Sequence, residues 1–203
     1  MLQYKCDIME IGIDEAGRGP LIGRVYAGAV IWPHELVSPL INDSKKLTPK
    51  KRMIALEWIK DNIPLWGVGY ADEKEIDSIN ILNATKLAMD RAILDLKSKI
   101  IDNININITH LLIDGTGWES KFKNYKVESI VKGDSKYYSI AGASIIAKEY
   151  HDLHIKELVK NNPSFDEKYS LLSNMGYPTK KHMDGIVKYG SSIYHRKTFN
   201  GVK

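Results

Sequence analysis

Short apolar runs alternate along the chain with longer stretches in which apolar residues recur every three or four positions. The runs have the length of buried strands and cover residues 8–13, 25–32, 66–70, 111–113 and 125–131. The loop between the first two runs contains Pro20 and Gly23 and is short enough for an antiparallel connection. Because the first strands follow one another and the later ones are mixed with helices, the pattern predicts an α/β domain with a mixed sheet.

The first two helices are predicted with their N-terminal ends. Residues 49–60 have helical spacing, with Thr48 as the N-cap and Pro49 at the first helical position. A second helix is predicted over residues 83–99, after a group of acidic first-turn residues that starts at Asp72. Both helices follow a predicted strand, as expected for an α/β chain.

The second half of the chain is predicted to contain the longest helix, over residues 139–159. Its small and apolar residues indicate that its first half is buried. The asparagine-rich residues 103–107 are interpreted as a loosely constrained connector, and residues 163–203 as loops with one or two short helices. No repeat or linker divides the chain, so residues 1–203 are predicted to form a single domain.

Acidic residues stand at the ends of three predicted strands. Asp14 and Glu15 end the first strand, and Asp114 and Asp134 follow later ones. Adjacent carboxylates repel each other, and burial penalises both ionised forms. A hard divalent cation such as Mg²⁺ or Mn²⁺ would relieve both penalties because it prefers oxygen ligands. If the strand ends meet at one cleft, the four carboxylates can hold two such ions, as in enzymes that cut phosphodiesters.

A turn is the simpler explanation for Asp114 or Asp134 when each is taken alone. The chain has 25 acidic residues, and an Asp next to a Gly commonly forms a turn. The Asp14 and Glu15 pair is harder to explain in this way because the preceding run is apolar. The recurrence of acids at three strand ends therefore favours a metal-dependent site.

The glycine-rich residues 17–23 invite comparison with a dinucleotide-binding loop. Their spacing is Gly-x-Gly-x-x-x-Gly, and Pro20 stands where the phosphate-binding helix should begin. The neighbouring carboxylates would also repel a pyrophosphate. A pyridine-nucleotide enzyme is therefore a remote alternative, and the glycines more plausibly let the backbone approach a hydroxyl or a sugar edge.

Composition and charge limit the cellular locations and the partners to be expected. The 203-residue chain contains no apolar run of 18 residues, its N-terminus lacks the apolar segment of a signal peptide, and Cys6 is its only cysteine. These features predict a cytoplasmic protein with no membrane partner. The net charge of +4 permits a polyanionic partner without requiring one.

Several motifs occur in order between residues 11 and 199. They are DEAGRG at 14–19, NDSKKL at 42–47, NILNATKLAM at 80–89, IDG at 113–115, KGD at 132–134, AGASIIAK at 141–148, GYPTKKH at 176–182 and HR at 195–196. Together these motifs resemble the type 2 ribonucleases H, and ribonuclease HII in particular. The match extends over nearly the whole chain, so chance is a poor explanation.

The resemblance implies a ribonuclease H-like fold, with a mixed five-stranded sheet flanked by helices and a short helical C-terminal part, about residues 163–203, that binds substrate. It also implies hydrolysis of the RNA strand of RNA/DNA hybrids and cleavage 5′ of single ribonucleotides in duplex DNA, leaving 3′-hydroxyl and 5′-phosphate ends. By this resemblance, two Mg²⁺ or Mn²⁺ ions would be bound by Asp14, Glu15, Asp114 and Asp134.

Further residues would contact the nucleic acid if the resemblance holds. The backbone of Gly17, Arg18 and Gly19 and the hydroxyl of Tyr177 would recognise the 2′-hydroxyl, and the Tyr177 ring would stack on the next sugar. Phosphate contacts would come from Asn42, Ser44, Lys45, Thr85 and Lys148. A lysine or a tyrosine taken alone is more often an ordinary surface residue, so these assignments depend on the motifs around them.

The sequence departs from the family pattern at Ile22, Arg24, His151 and Met175. None of these is an acid, so activity is still expected. The chain also ends soon after the shared region, and we expect weaker duplex binding than in relatives with a C-terminal extension. The relatives suggest a monomer with no obligate protein partner.

Two alternatives lie closer to this prediction. Ribonuclease HIII prefers long hybrids and usually has an additional N-terminal domain, whereas the first strand here begins by residue 11. A hybrid-binding module without catalysis would gain nothing from clustered negative charge beside phosphates.

Overall fold

The computed structural model of the protein describes residues 10–42, 44–100 and 108–202. A five-stranded sheet with the strand order β3-β2-β1-β4-β5 forms its centre. The strands are β1 (Glu10–Ala16), β2 (Val25–Val30), β3 (Trp66–Ala71), β4 (His110–Asp114) and β5 (Lys126–Ile130). The β1–β2 and β2–β3 pairs are antiparallel, whereas β1–β4 and β4–β5 are parallel. The predicted mixed sheet and the antiparallel first connection are therefore confirmed.

The boundary of β1 differs from the prediction in a way that affects the acids. The strand was expected to end at the acidic pair, but it continues to Ala16, with Asp14 opposite Gly28 and Glu15 opposite Ala27 of β2. Both acids are therefore held by the sheet itself rather than by the loop after it. The predicted first residues of this strand, 8 and 9, lie outside the described residues.

The described residues form six α-helices. They are α1 (Pro49–Asn62), α2 (Glu73–Lys97), α3 (Tyr138–Asn161), α4 (Ser164–Tyr169), α5 (Leu171–Asn174) and α6 (Lys180–Tyr189). Thr48 caps α1 as predicted, with its side chain accepting a hydrogen bond from the backbone N–H of Lys51. The C-terminal part contains three short helices, α4 to α6, so the prediction of one or two was too low. The predicted connector at residues 103–107 lies outside the described residues.

Helix α2 is longer than predicted. It begins at Glu73 behind a capping box formed by Asp72 and Glu75, and it bends at Asn80, whose φ of 66° is not helical. The Asn80 side chain accepts a hydrogen bond from the N–H of Asn83, so it restarts the helix as a local cap. Asn80 thus divides α2 into two helical segments, so the 24-residue α3 is the longest uninterrupted helix of the described residues, as predicted.

The two faces of the sheet are covered by different helices. Alternate residues of β2 point to opposite faces, so Val25, Ala27 and Ala29 join the cluster with α2 while Val30 packs with α1 and α3. Gly28 lets α3 approach closely, since a Cβ there would overlap the carbonyl of Ala143. This contact fixes α3 against the strand that pairs with β1. No helix in the described part of the chain is long and apolar enough to cross a membrane.

Candidate active site

A cleft of about 250 Å³ opens at the C-terminal end of β1. Residues from four parts of the chain line it, namely Asp14, Glu15, Ala16, Gly17, Arg18, Gly19, Ser44, Ser144, Lys148 and Tyr177. The lining thus combines the acidic pair, the glycine loop, one face of α3 and the predicted sugar-sensing tyrosine.

The parallel pairing of β1 with β4 places a third acid beside the first two. The last paired residues in their register are Ile13 and Ile113, so Asp14 and Asp114 are the next residues on neighbouring strands. Burial raises the pKa of Asp14 well above its usual value, and repulsion from Glu15 and from Asp114 raises it further. A hydrogen bond from Ser144 opposes this rise in the pKa. The three carboxylates are therefore close enough for their charges to interact.

Glu15 has one satisfied and one unsatisfied carboxylate oxygen. Its Oε1 atom accepts a hydrogen bond from Nη1 of Arg18 at 3.2 Å. Its Oε2 atom is buried without a hydrogen-bond partner among the described residues. Burial raises the pKa of Glu15 although the charge of Arg18 lowers it. An acceptor oxygen buried in this way needs a cation or a donor to offset its desolvation.

Asp114 holds the turn that carries Asp134. Its Oδ1 atom accepts a hydrogen bond of 2.7 Å from the N–H of Gly133. Gly133 begins a one-turn 3-10 helix, Gly133–Ser135, after Lys132 in a left-handed conformation with φ of 57°. Asp134 is buried on this turn, with 3% of its surface exposed. It was predicted to follow a strand directly, whereas this turn lies between β5 and the acid.

The donor chemistry of the acids fits a hard divalent cation. All the candidate ligands are carboxylate oxygens, two of the acids have raised pKa values, and Glu15 has an unsatisfied buried oxygen. Among the described residues, no group of three or more His, Cys, Asp or Glu side chains has the arrangement of a complete metal site. Magnesium is commonly bound by one or two carboxylates, with water and substrate phosphates completing its shell. The residues therefore fit an ion that substrate helps to coordinate.

The glycine loop and Tyr177 face each other across the cleft. A Cβ on Gly19 would lie 3.3 Å from Cε1 of Tyr177, so the ring lies beside the loop with little room for a side chain between them. The loop turns at Gly17, which has φ of 88° and packs against the ring of His151. Tyr177 follows Gly176, another residue with positive φ, and 38% of its surface is exposed. The structure thus brings together the residues that the sequence assigned to sugar recognition.

Lys148 is held in the cleft by a buried ionic network. Its Nζ atom lies 2.7 Å from Oδ1 of Asp152, and the other carboxylate oxygen of Asp152 accepts from Arg52 at 2.9 Å. Arg52 also pairs with Glu149, and all three partners of this network are buried. Lys148 lies 5.8 Å from the centre of the Tyr177 ring. The network therefore holds the Lys148 ammonium beside Tyr177 at the wall of the cleft.

The predicted phosphate-binding residues have different surroundings. Ser44 lines the cleft, but its hydroxyl shares a hydrogen bond of 2.8 Å with Ser144. Asn42 is exposed and does not line the cleft. Lys45 lies in the 3-10 turn Ser44–Lys46, and its side chain is outside the described part of the structure.

The position of Thr85 contradicts its predicted role. It was predicted to contact phosphate, but it is fully buried inside α2. Its hydroxyl donates a hydrogen bond of 2.7 Å to the carbonyl of Ile81, one turn earlier. Because this hydroxyl is used inside the helix and is closed to solvent, the Thr85 side chain does not present a donor to a ligand.

Sequence reasoning missed Ser144 and His151 as parts of the site. Ser144 lies one helical turn before Lys148, so the two share a face of α3 and both line the cleft. That spacing was a usable signal for Ser144. The same spacing applied to His151, three residues after Lys148, which is fully buried and forms the wall behind Gly17.

A model of one protein family, described as Ribonuclease HII, matches residues 11–202 of the chain. Among curated proteins, the ribonuclease HII of Phocaeicola vulgatus is 47% identical over 194 residues, which is 96% of this chain and 90% of that protein. The match covers all four acids and the residues of the cleft.

Solved structures show the same fold at lower identity. The ribonuclease HII of Archaeoglobus fulgidus, solved in a complex with PCNA, has a TM-score of 0.72 and 23% identity, and the match covers 95% of each chain. Bst-RNase HIII in complex with Mn²⁺ has a TM-score of 0.74 and 18% identity, with coverage of 96% of this chain and 68% of that one. At this level of identity the likeness establishes the fold alone.

Proposed function

Because the chain belongs to the ribonuclease HII family, metal-dependent endoribonucleases that act on RNA/DNA hybrids, we propose that it also cuts duplex DNA on the 5′ side of a single embedded ribonucleotide. The observation that carries this proposal is that the Tyr177 ring lies beside Gly19 in the cleft that contains Asp14 and Glu15. A site that recognises one ribose must test the 2′-hydroxyl next to the reacting phosphate. The glycine loop and the tyrosine would make this test.

The four acids would hold two divalent ions, Mg²⁺ or Mn²⁺. When bound, such ions stabilise the charge on the attacking and leaving oxygens of a phosphodiester. The buried acceptor oxygen of Glu15 and the mutual repulsion of Asp14, Glu15 and Asp114 support this assignment. Asp134 joins them through the turn that Asp114 holds.

The reaction would be a simple hydrolysis. A water oxygen forms a new bond to phosphorus while the bond between phosphorus and the 3′-oxygen breaks. The leaving oxygen takes up a proton, so the products carry a 3′-hydroxyl and a 5′-phosphate. The acids would hold the ions that align this water and the phosphate, and the buried floor of β1 would exclude other water from the reacting centre.

Substrate positioning would come from the other walls of the cleft. Backbone groups of Gly17, Arg18 and Gly19 and the hydroxyl of Tyr177 bind the 2′-hydroxyl, and the Tyr177 ring stacks on the next sugar. Lys148 and the half-exposed Arg18 carry positive charge beside this position and bind phosphates without reading sequence. We assign Ser44, Lys45 and Asn42 to the same phosphate track.

The described residues support one catalytic unit that includes its C-terminal part. Tyr177 comes from the segment at about residues 163–203, yet it completes the cleft that begins at β1. We therefore propose a single domain in which this segment binds substrate, acting as a monomer without an obligate protein partner.

Product mapping tests the proposed function. A duplex with one labelled ribonucleotide is incubated with the protein and either Mg²⁺ or Mn²⁺, beside an RNA/DNA hybrid and an all-DNA duplex. Cleavage immediately 5′ of the ribonucleotide, with 3′-hydroxyl and 5′-phosphate ends, is expected. Cleavage of the hybrid with an intact single-ribonucleotide duplex would refute the proposal while leaving the family assignment in place.

A further inference from the structure

The adjacent residues His195 and Arg196 are buried next to the cleft, although neither lines it. Only 1% of His195 and 0% of Arg196 is exposed. Their segment runs back along the loop after β1, where the N–H of Arg196 donates to the carbonyl of Leu21 at 2.8 Å and His195 forms a bridge with Ile22. Burying a cation and an imidazole is costly unless their polar atoms are paired, so their partners indicate their role.

Three backbone carbonyls of the glycine loop bind the guanidinium of Arg196. Its Nη2 donates to Gly17 at 2.7 Å, its Nη1 to Arg18 at 3.1 Å and its Nε to Gly23 at 2.8 Å. The planar fork of arginine fixes these carbonyls in one arrangement. Because the C=O and N–H of a trans peptide point in opposite directions, the N–H groups of Arg18 and Gly19 point away from the guanidinium.

His195 reaches the other half of the recognition site through a second imidazole. Its Nε2 lies 3.1 Å from Nε2 of the fully buried His182, whose Nδ1 lies 3.1 Å from the carbonyl of Tyr177. The Nδ1 of His195 accepts from the backbone N–H of Ser192 at 3.0 Å. These contacts join the C-terminal segment to the backbone of Tyr177.

The groups at the two ends of this series of hydrogen bonds, the Tyr177 carbonyl and the Ser192 N–H, determine which nitrogen of each imidazole carries the proton. A carbonyl only accepts, so His182 donates from Nδ1 to Tyr177, and its Nε2 carries no proton. A backbone N–H only donates, so His195 accepts at Nδ1 and its proton is on Nε2, from where it donates to His182. Both rings are neutral in this arrangement. Burial, the first cause in each case, lowers the pKa of His182 and lowers that of His195 to about 3.

We propose that His195 and Arg196 are positioning residues that set the two halves of the sugar-recognition site against each other. Arg196 shapes the glycine loop, and His195 sets the backbone of Tyr177 through His182. Because the two residues are adjacent in one segment, the loop and the tyrosine keep a fixed separation, the one at which the Tyr177 ring lies beside Gly19. This inference rests on the proposed recognition of single ribonucleotides.

The two positioning residues should have different kinetic effects. The glycine loop would contact the 2′-hydroxyl in every RNA substrate, whereas the stacking of Tyr177 on a neighbouring deoxyribose matters only at a single ribonucleotide. A defect at Arg196 should therefore reduce cleavage of both substrates, and a defect at His195 should reduce cleavage of the single-ribonucleotide duplex selectively.

Matched substitutions at His195 test the relay, meaning the hydrogen bonds from His195 through His182 to the Tyr177 carbonyl. His195→Asn keeps an acceptor near Ser192 but is too short to reach His182, whereas His195→Gln places an amide donor within reach of His182. We expect His195→Asn to reduce kcat/KM for the single-ribonucleotide duplex about tenfold more than for the hybrid, and His195→Gln to restore most of the difference. Equal losses on both substrates, or equal behaviour of the two variants, would overturn the role of His195.

Arg196→Lys tests the loop. Lysine keeps the charge but cannot bind three carbonyls in one plane, so kcat should fall about tenfold or more on both RNA substrates. Arg91→Lys is the control, since Arg91 pairs with Glu75 and the carbonyl of Tyr70 and does not line the cleft. Unchanged kcat in folded Arg196→Lys protein would overturn the role of Arg196.

The unmodified protein gives a readout that does not depend on variant folding. Long-range ¹H–¹⁵N spectra of the imidazoles should show His182 protonated at Nδ1 and His195 at Nε2, both neutral at pH 6. The opposite tautomers, or a charged ring at that pH, would overturn the relay. If the unmodified protein cuts hybrids but leaves single ribonucleotides intact, the proposed function itself has failed, and the inference fails with it.

Discussion

Asp114 Oδ1 accepts a hydrogen bond of 2.7 Å from the backbone N–H of Gly133, so one of the candidate metal ligands also holds the turn that presents another. Asp134 is the next residue after Gly133 and is buried on that turn. The third and fourth acids of the site are therefore linked in space before any ion binds. Substitutions at Asp114 should separate these two roles.

We predict that Asp114→Asn and Asp114→Ala both lose activity but differ in stability. Asparagine keeps an acceptor for the N–H of Gly133, whereas alanine leaves this donor unpaired at a cost of about 1–3 kcal/mol. Cleavage assays and denaturant unfolding would show equal loss of activity with the midpoint lowered mainly in Asp114→Ala. Equal stability of the two variants would contradict the structural role of this hydrogen bond.

Asp14→Asn should stabilise the metal-free protein while abolishing cleavage. Burial and two neighbouring acids raise the pKa of Asp14 above its unfolded value. The native state therefore binds the proton more tightly than the unfolded chain. Stability is lost as the pH rises from the unfolded pKa of Asp14 towards its native pKa. A neutral amide avoids that loss, so the free energy of unfolding with a chelator at pH 8 should increase by about 1 kcal/mol or more.

Added Mg²⁺ or Mn²⁺ provides the complementary measurement. Ions that bind only the native state raise the melting temperature of the unmodified protein. The increase should be much smaller in Asp14→Asn. A similar increase in both proteins would place the ions elsewhere.

Tyr177→Ala should reduce cleavage at single ribonucleotides more than cleavage of long hybrids. The ring lies beside the glycine loop at Gly19 and would stack on the deoxyribose that follows a lone ribonucleotide. Tyr177→Phe keeps the ring and removes the hydroxyl, so it separates stacking from hydrogen bonding. Comparison of kcat/KM for the two substrates makes the measurement, and equal losses in Tyr177→Ala would remove the proposed selectivity.

Lys148→Met should weaken duplex binding in a salt-dependent manner. Each lysine that contacts a phosphate contributes about one unit to the slope of log affinity against log salt. Binding of a hybrid at several salt concentrations, with a chelator to prevent cleavage, should give a slope reduced by about one. Lys60→Met is the matched control because Lys60 pairs with Glu57 and does not line the cleft. An unchanged slope in Lys148→Met would exclude a phosphate contact.

Acid should destabilise the protein through its buried histidines. Burial first, and then the nearby charges of Arg24, His151 and Arg196, together lower the pKa of His154 to about 4. Below pH 6.5 the unfolded chain binds a proton that the native state excludes, so stability falls as the pH decreases from 6.5 to 4. Each such histidine contributes about 1.4 kcal/mol per pH unit in this interval.

Substitution of single histidines would check this dependence. Between pH 6.5 and 4, His154→Gln should reduce the slope of unfolding free energy against pH by the contribution of one histidine, about 1.4 kcal/mol per pH unit. His34→Gln should leave the slope unchanged because the side chain of His34 is 65% exposed. An unaltered slope in His154→Gln would mean that this residue does not exclude its proton.

Local sequence signals predicted most of the secondary structure. The five apolar runs became the five strands, and the cap at Thr48 marked the start of α1. These features depend on neighbours within a few residues, where periodicity and capping chemistry act directly. The helical turns before residue 83 were not predicted, and Asn80, with its positive φ, separates them from the predicted segment.

The residues of the site were predicted with mixed success. The acidic pair, the glycine loop and Tyr177 were identified from motifs, and the structure brings them to one cleft. Thr85 was wrong because a threonine in a helix can satisfy its hydroxyl one turn back and face the core. A motif gives the residue, but the rotation of the helix decides which face it presents.

The sequence by itself determined which elements form, which family the motifs resemble and which acids are candidates for metal binding. Only the tertiary structure placed Asp114 beside Asp14, since a hundred residues separate them and the parallel β1–β4 pairing joins them. It also buried His195 and Arg196 against the loop after β1. The physical reason is range: local patterns encode backbone conformation and burial, whereas contacts between distant segments follow from how the whole sheet and its helices pack.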